Sequence, residues 1–361
     1  VFITDRSGVI EYVNPAFERT TGYSSTEAVG KTPRILKSGV QSTDYYDRLW
    51  RTVLGGQSFH GTLVNRTRAG ALYHAEQTIT PITTVAGDIS HFVSILRDMT
   101  DRRLIEEQEV EMRLAASIQR RLLPHNTPRL KGWELAGAVL PALATCGDYF
   151  DFISVRDDRL YLVVADACGH GVGPALIAVQ TRAHFRSLIQ ADVELHQVLS
   201  DLNRILVSDL DDGLFVTMAV VCVDAGAGSL MWASAGHPTA YLFDAAGTVK
   251  TELRSTGLPL GLMTGRPYTD GHRVTTAPGD VVLMITDGFL EIENAEGVEF
   301  GVERLFEAAR ASVMLPAEDI VQRLLDAARN FAGDQPQHDD LTAVVCRRID
   351  HSEPDGELPG L

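Results

Sequence analysis

Two apolar runs in the chain each end in an aspartate followed by a small residue: Leu160 to Asp166 (LYLVVAD) before Ala167, and Val281 to Asp287 (VVLMITD) before Gly288. Two further acidic clusters open strand-like stretches, Asp148 with Asp151 in CGDYFDFISV and Asp339 with Asp340 in HDDLTAVVC. The carboxyl end of one strand and the amino end of an antiparallel neighbour lie at the same sheet edge, so the four clusters are expected to converge there. Carboxylates gathered in this way repel one another by about 4 kcal/mol per pair at roughly 4 Å in an effective dielectric near 20, and they need cations to hold them. All-oxygen ligation, without His and Cys at zinc spacing, points to hard ions, Mg²⁺ or Mn²⁺. Two such ions bridged by carboxylates can fix a water, lower its pKa and aim it at a phosphorus atom. That chemistry suits hydrolysis of a phosphate monoester.

The frame that must position these residues is an ordinary globular one. At 361 residues, 45% hydrophobic and 22% charged, the chain is long enough for two domains with their own cores. Its formal net charge of −16 provides no electrostatic footprint for nucleic acid or an anionic membrane, so neither is expected as a partner. The four cysteines, Cys146, Cys168, Cys222 and Cys346, are too dispersed for a compact zinc motif and too few for a disulfide scaffold. They fit a reducing cytoplasm, the expected location. No apolar run approaches the roughly 18 residues of a membrane helix. The sequence opens at Val1 inside a strand-like stretch, and further residues upstream are expected.

Residues 1–99 alternate short strands with turn signals. VFIT and GVIEYVN flank the Asp5-Arg6-Ser7-Gly8 turn, a short helix follows Asn14-Pro15, and HGTLVNRT, ALYHAEQTITPI and HFVSILRDMT read as three more strands of an antiparallel sheet. The stretches ITDRSGVIEYVNPAFERTTGY, GKTPRILKSG and RDMTDRR make this block resemble a PAS sensor domain. The resemblance implies a five-stranded antiparallel fold and leaves the ligand open. No cysteine precedes Cys146, which argues against thiol adduct photochemistry. LVNRTRAGALYHAEQTITPI is similar to flavin-binding, redox-sensing PAS domains, which makes a flavin a candidate ligand; haem on His60, His74 or His91 is a weaker alternative, because lone histidines are more often surface or packing residues.

Residues 100–124 lack Gly and Pro until Pro124 and are rich in helix formers, so they predict one helix. Leu104, Ile105, Val110, Met112, Leu114, Ala115, Ile118, Leu122 and Leu123 form an imperfect heptad stripe between Glu and Arg residues. It reads either as a connecting helix lying on one domain or as a parallel dimeric coiled coil carrying sensor state onward. Its place between the two blocks favours the homodimeric coiled coil.

Residues 125–350 alternate strands and helices. RLYLVVAD, FVTMAVVCVD, SLMWASAG, TAYLFD, DVVLMITD and LTAVVCRR are strand candidates; GPALIAVQTRAHFRSLIQ, DVELHQVLSDLNRILVSDL, GVERLFEAARASV and AEDIVQRLLDAARNFA are helix candidates. The tail 351–361, with two Pro and two Gly, is expected to be disordered.

GDYFD, ADACGHGVGPAL, SAGHPTAYL, APGDVVLMITDGFLE and HDDLTAVV occur in the order and spacing of the SpoIIE-like metal-dependent protein serine/threonine phosphatases of the PPM superfamily, which this part of the chain resembles. The resemblance implies an α+β chain whose second domain is an α-β-β-α sandwich with two Mn²⁺ or Mg²⁺ ions, and a phosphorylated STAS-type anti-anti-sigma protein as substrate. By the family's pattern Asp166 bridges the ions, with the Ala167 carbonyl as a backbone ligand, Asp148 holds one ion, and Asp287 and Asp339 hold the other. Asp340 and Asp151 are further candidates. Cys146 and the Ala167-Cys168 pair depart from the family's usual residues without removing a carboxylate, and the cysteines read as structural.

Taken singly, an aspartate after a strand is usually a turn or helix cap, and only the joint occurrence argues for a site. His170 and His237 read as turn or shell residues, and Gly169, Gly171 and Gly288 as points of close backbone approach. GHGVGPAL lacks the Lys-Ser/Thr ending of a phosphate-binding P-loop, and the HDD triplet lacks the further histidines of a histidine-aspartate phosphohydrolase. The reading is a sensor-regulated metal-dependent phosphatase; its rival is a catalytically silent signal-binding scaffold that acts through contacts alone.

Overall fold

The computed structural model describes residues 1–124, 126–156, 158–191 and 193–350, with the backbone alone described for residues 101–108. The expected disordered tail and the side chains of Leu104 and Ile105 lie outside the described residues. The chain divides into two compact units, Val1–Val110 and Glu111–Leu361.

The first unit is a five-stranded antiparallel sheet with three short helices. In chain order the elements are β1 (Phe2–Asp5), β2 (Ile10–Val13), α1 (Pro15–Thr21), α2 (Ser25–Ala28), α3 (Thr43–Leu54), β3 (Phe59–Arg66), β4 (Leu72–Thr83) and β5 (Ile89–Asp98), and the sheet order is β2-β1-β5-β4-β3. Local chemistry fixes the helix starts. Asn14 accepts the Phe17 amide at 3.0 Å with Pro15 in the first turn, and Ser42 accepts the Tyr45 amide at the start of α3. Phe2, Ile10, Phe17 and Leu36 pack one part of the core; Leu49, Val53, Phe59, Leu63, Ile79 and Phe92 pack another.

α4 (Thr100–Arg120) is one helix, as expected, but it ends at Arg120, where the chain turns before reaching Pro124. The second unit follows with β6 (Trp133–Leu140), β7 (Asp148–Arg156), β8 (Arg159–Ala167), α5 (Val172–Leu188), α6 (Leu195–Asp209), β9 (Val216–Asp224), β10 (Ser229–Ala235), β11 (Ala240–Phe243), β12 (Val249–Leu253), β13 (Val274–Thr275), β14 (Val281–Ile285), α7 (Gly301–Arg310), α8 (Ala317–Ala332) and β15 (Leu341–Arg348).

Its strands form two antiparallel sheets, β13-β10-β9-β8-β7 and β12-β11-β14-β15-β6. The sheets face each other across a core that includes Phe150, Leu162, Val221, Leu242, Met284 and Val344. Helices α5 and α6 cover the outer face of the first sheet, and α7 and α8 that of the second. This is the expected α-β-β-α sandwich. Burial on both faces explains why LYLVVAD and VVLMI are continuous apolar runs rather than alternating ones. α8 shows the complementary helical pattern: Ala317, Ile320, Val321, Leu324, Leu325 and Ala328 form one buried stripe.

Candidate active site

Register brings the acidic clusters to one end of the sandwich. In the first sheet Asp148 opens β7 directly opposite Asp166 near the end of β8. In the second, β14 pairs with β15 in antiparallel register, so Asp287 just after β14 and Asp339-Asp340 just before β15 share an edge. Side chains alternate along each strand. Asp148 and Asp166 lie in step with the inter-sheet residues Phe150 and Val164, and Asp340 in step with Val344.

The carboxylates are held differently. Asp148 is buried and accepts two hydroxyl donors from the opposite sheet, Thr286 Oγ1 at 2.8 Å and Thr342 Oγ1 at 2.6 Å. Burial still pushes it well above the ordinary carboxylate range, and the charge of Asp166 adds to the shift. Asp166 is raised to about 7 by burial first and then by Asp287, Asp339 and Asp340. Asp339 is raised as well, mainly by burial, with Asp287 and Asp340 contributing. One of its oxygens accepts the Asp340 amide at 2.8 Å.

Asp340 is tied to backbone: its two oxygens accept the Ala142 amide at 2.8 Å and the Gly147 amide at 2.7 Å. The loop before β7 is thereby tied to the start of β15. Close packing reinforces this edge. A Cβ on Gly147 would lie 2.9 Å from the Ala167 carbonyl oxygen, and one on Gly288 would collide with the Asp340 carbonyl.

Asp151 does not join the set. Three residues beyond Asp148, it falls on the opposite face of β7, where its two oxygens receive Arg186 Nε at 2.6 Å and Nη2 at 2.7 Å, while Tyr149 Oη donates at 2.6 Å and the Phe152 amide at 2.9 Å. It braces α5 against β7.

Among the described residues no Lys or Arg forms an ion pair with Asp148, Asp166, Asp287, Asp339 or Asp340. Nor, among them, do three His, Cys, Asp or Glu side chains close around one point as a finished metal cage. With both oxygens of Asp340 committed to amides and one oxygen of Asp148 beneath two threonines, the half-buried Asp166, Asp287 and Asp339 and the other oxygen of Asp148 are left for a cation. An all-oxygen set carrying uncompensated like charge fits Mg²⁺ or Mn²⁺.

Thr286 and Thr342 were not singled out from the sequence. Their signal was strand parity, since Thr342 follows Asp340 by two and shares its face. Gln119 near the end of α4 was also missed: its amide nitrogen donates to the Cys146 carbonyl at 2.5 Å and its oxygen accepts the Cys146 amide at 3.0 Å, next to Gly147-Asp148.

Comparison with known proteins agrees with this architecture. Residues 1–99 match the PAS fold, and residues 156–349 match the family described as Stage II sporulation protein E (SpoIIE). The chain is 26% identical over 264 residues to Phosphoserine phosphatase RsbU of Bacillus subtilis, a match that covers 72% of this chain and 76% of that protein. In fold it is similar to the SiaA-PP2C domain of Pseudomonas aeruginosa (TM-score 0.60, 24% identity, 70% of this chain and 100% of that one). It is also similar to the RsbU and RsbW domains of Rv1364c from Mycobacterium tuberculosis (TM-score 0.52, 28% identity, 63% of this chain and 64% of that one). With more than half of its length matched, the chain belongs to the SpoIIE family and carries a PAS domain at its N-terminal end.

Proposed function

We propose that the chain is a sensor-regulated, Mn²⁺- or Mg²⁺-dependent protein serine/threonine phosphatase whose substrate is a phosphorylated STAS-type anti-anti-sigma protein. The observation that carries this reading is the set of carboxylates at one end of the sandwich that, among the described residues, no Lys or Arg pairs with, in a member of this family. In this reading Asp166, the Ala167 carbonyl, Asp287 and Asp339 would hold the ions. Asp148 completes the first-sheet side while Thr286 and Thr342 orient it, and Asp340 fixes the loop rather than serving as a ligand. Bound ions supply charge to offset the phosphate and lower the pKa of a water.

The PAS unit supplies the input. It holds a cavity of about 720 Å³ lined by apolar Phe2, Leu36 and Phe92 and by buried polar Thr4, Asn65, Gln77 and Ser94. A planar ring with hydrogen-bonding edges suits such a lining, and a flavin is the ligand we propose; His60, His74 and His91 are not among the lining residues. The exposed Val110, Leu114 and Ile118 on α4, spaced by four residues, support a homodimer through this helix, and the Gln119 contact gives it a route to the loop of Asp148.

The test is phosphate release from a phosphoserine STAS protein by the full chain, with Mn²⁺, Mg²⁺ or EDTA, beside Asp166→Asn. Metal-dependent release that the variant loses is the expected result; equal release in the variant would remove the proposed site. The scaffold reading draws on the absence of a closed three-ligand cage among the described residues. Metal binding without hydrolysis of any phosphoprotein would favour it.

A further inference from the structure

The candidate ligands come from two sheets, so their separation depends on how the sheets meet at this end. The chain itself crosses there. β10 belongs to the first sheet and β11 to the second, and residues 236–239 between them carry His237. Its side chain is buried, with Nδ1 2.8 Å from Thr217 Oγ1. Thr217 pairs with Asp166 in the β8–β9 register. On the other side the ring faces the backbone of Ile285, two residues before Asp287, while Nε2 has no regular hydrogen bond among the described residues. One rigid ring thus stands between the cross-strand neighbour of Asp166 and the strand that delivers Asp287.

We infer that His237 is a positioning residue, a strut between the sheets that sets the distance from Asp166 to Asp287; the inference rests on the two-ion reading above. A buried polar group that only filled space would be a poor choice, because an apolar side chain of the same volume avoids the cost of desolvating two nitrogens. An imidazole adds one directional contact, Nδ1 to the Thr217 hydroxyl, and sets the opposite edge of a stiff ring against the Ile285 backbone. With the proton on Nε2, Nδ1 is free to accept the Thr217 hydroxyl. Burial keeps the ring neutral, with its pKa lowered to about 3, so it serves as a spacer and not as a proton carrier.

Calorimetric titration of the full chain with Mn²⁺, without substrate, tests the strut. The series is wild type, His237→Leu, His237→Gln and Thr217→Val, each with its melting temperature. Two bound ions are expected in the wild type. His237→Leu should weaken one of them at least tenfold while melting within a few degrees of wild type, Thr217→Val should weaken the same ion by a smaller factor, and His237→Gln should recover part of the loss. Unchanged Mn²⁺ affinities in both His237→Leu and Thr217→Val would overturn the inference. So would losses that merely follow the melting temperature, with Gln no better than Leu. Thr217→Val keeps the test open if His237→Leu does not fold. A wild type that binds no Mn²⁺ would instead overturn the two-ion reading itself.

Discussion

Asp148 and Asp151 lie on the same strand, three residues apart, and the structure treats them in opposite ways. Asp151 is fully buried and fully answered: a two-pronged Arg186, a second guanidinium from Arg182 at 3.7 Å, the Tyr149 hydroxyl and a backbone amide all point at it. Asp148 is as buried, yet its hydroxyl donors carry no charge, and the charges that act on it are other carboxylates, Asp166 and Asp340. Buried charge is normally paired, and Asp151 shows that this fold supplies an arginine where a carboxylate is structural. Among the described residues no arginine pairs with Asp148, Asp166, Asp287 or Asp339, which leaves these carboxylates in want of an external cation. The difference between the two faces of β7 is therefore the difference between a brace and a site.

Breaking the two sides separately should give opposite phenotypes. Asp287→Asn is expected to lower kcat/KM on a phosphoprotein about 10³-fold or more, equivalent to roughly 4 kcal/mol of transition-state stabilisation, with the fold intact. Asp151→Asn should leave turnover within about tenfold of wild type and lower the melting temperature instead. Equal activity losses in both variants would collapse the distinction.

The same contrast predicts how stability varies with pH. The Asp166 carboxyl is raised from its ordinary value to about 7, so the metal-free folded state binds a proton that the unfolded chain releases near pH 4. This contribution is complete below the unfolded pKa and is lost as pH rises through about 7. Metal-free protein in EDTA should therefore lose stability between about pH 5 and pH 8, by at most about 4 kcal/mol. Asp166→Asn should flatten the slope, and Mn²⁺ or Mg²⁺ should restore stability at pH 8. Urea denaturation at several pH values measures it; stability that rises over this range without metal would contradict the assignment.

On the brace side, Arg186→Ala leaves Asp151 buried with only Arg182 and neutral donors. Removing one partner of a buried pair typically costs 3–5 kcal/mol, but the Arg186 side chain is 41% exposed, so water replaces part of its role and about 2–3 kcal/mol is expected. Urea denaturation measures the loss, and wild-type stability would show that Arg182 suffices.

Much of this was legible because central strands and metal-type carboxylates leave strong marks. The runs LYLVVAD and VVLMITD are buried on both faces, and α8 repeats its apolar stripe without interruption. What escaped were edges and long-range partners. β6 is an edge strand of small residues, WELAGAVL, mostly half-buried, and β12 is the polar edge strand VKTEL, so neither carries a continuous apolar signature. Grouping Asp151 with Asp148 ignored the two-residue period, which sends residues three apart to opposite faces. Gln119 reaches a loop 27 residues away, and nothing in its local sequence announces that contact.

The smallest effect separates the two aspartates most finely. Thr342→Val keeps the side-chain shape at a fully buried position and removes only the hydroxyl that donates to Asp148 at 2.6 Å, while Thr286 still donates to the same oxygen at 2.8 Å. If Asp148 were structural in the way Asp151 is, this loss would appear in stability alone, at about 1–2 kcal/mol. If its carboxylate is held ready for an ion, the threonine also sets the direction of that carboxylate, and partners that orient a ligand contribute to metal affinity. Thr342→Val is then expected to lower stability by about 1 kcal/mol and raise the Mn²⁺ concentration for half-maximal activity about tenfold, with kcat at saturating Mn²⁺ nearly retained. Measuring kcat against Mn²⁺ concentration for Thr342→Val beside Arg186→Ala gives the decisive contrast. The brace variant should melt earlier at an unchanged Mn²⁺ requirement, and the threonine variant should shift that requirement with little change in melting, because only one of the two aspartates is built to meet a cation from outside the chain.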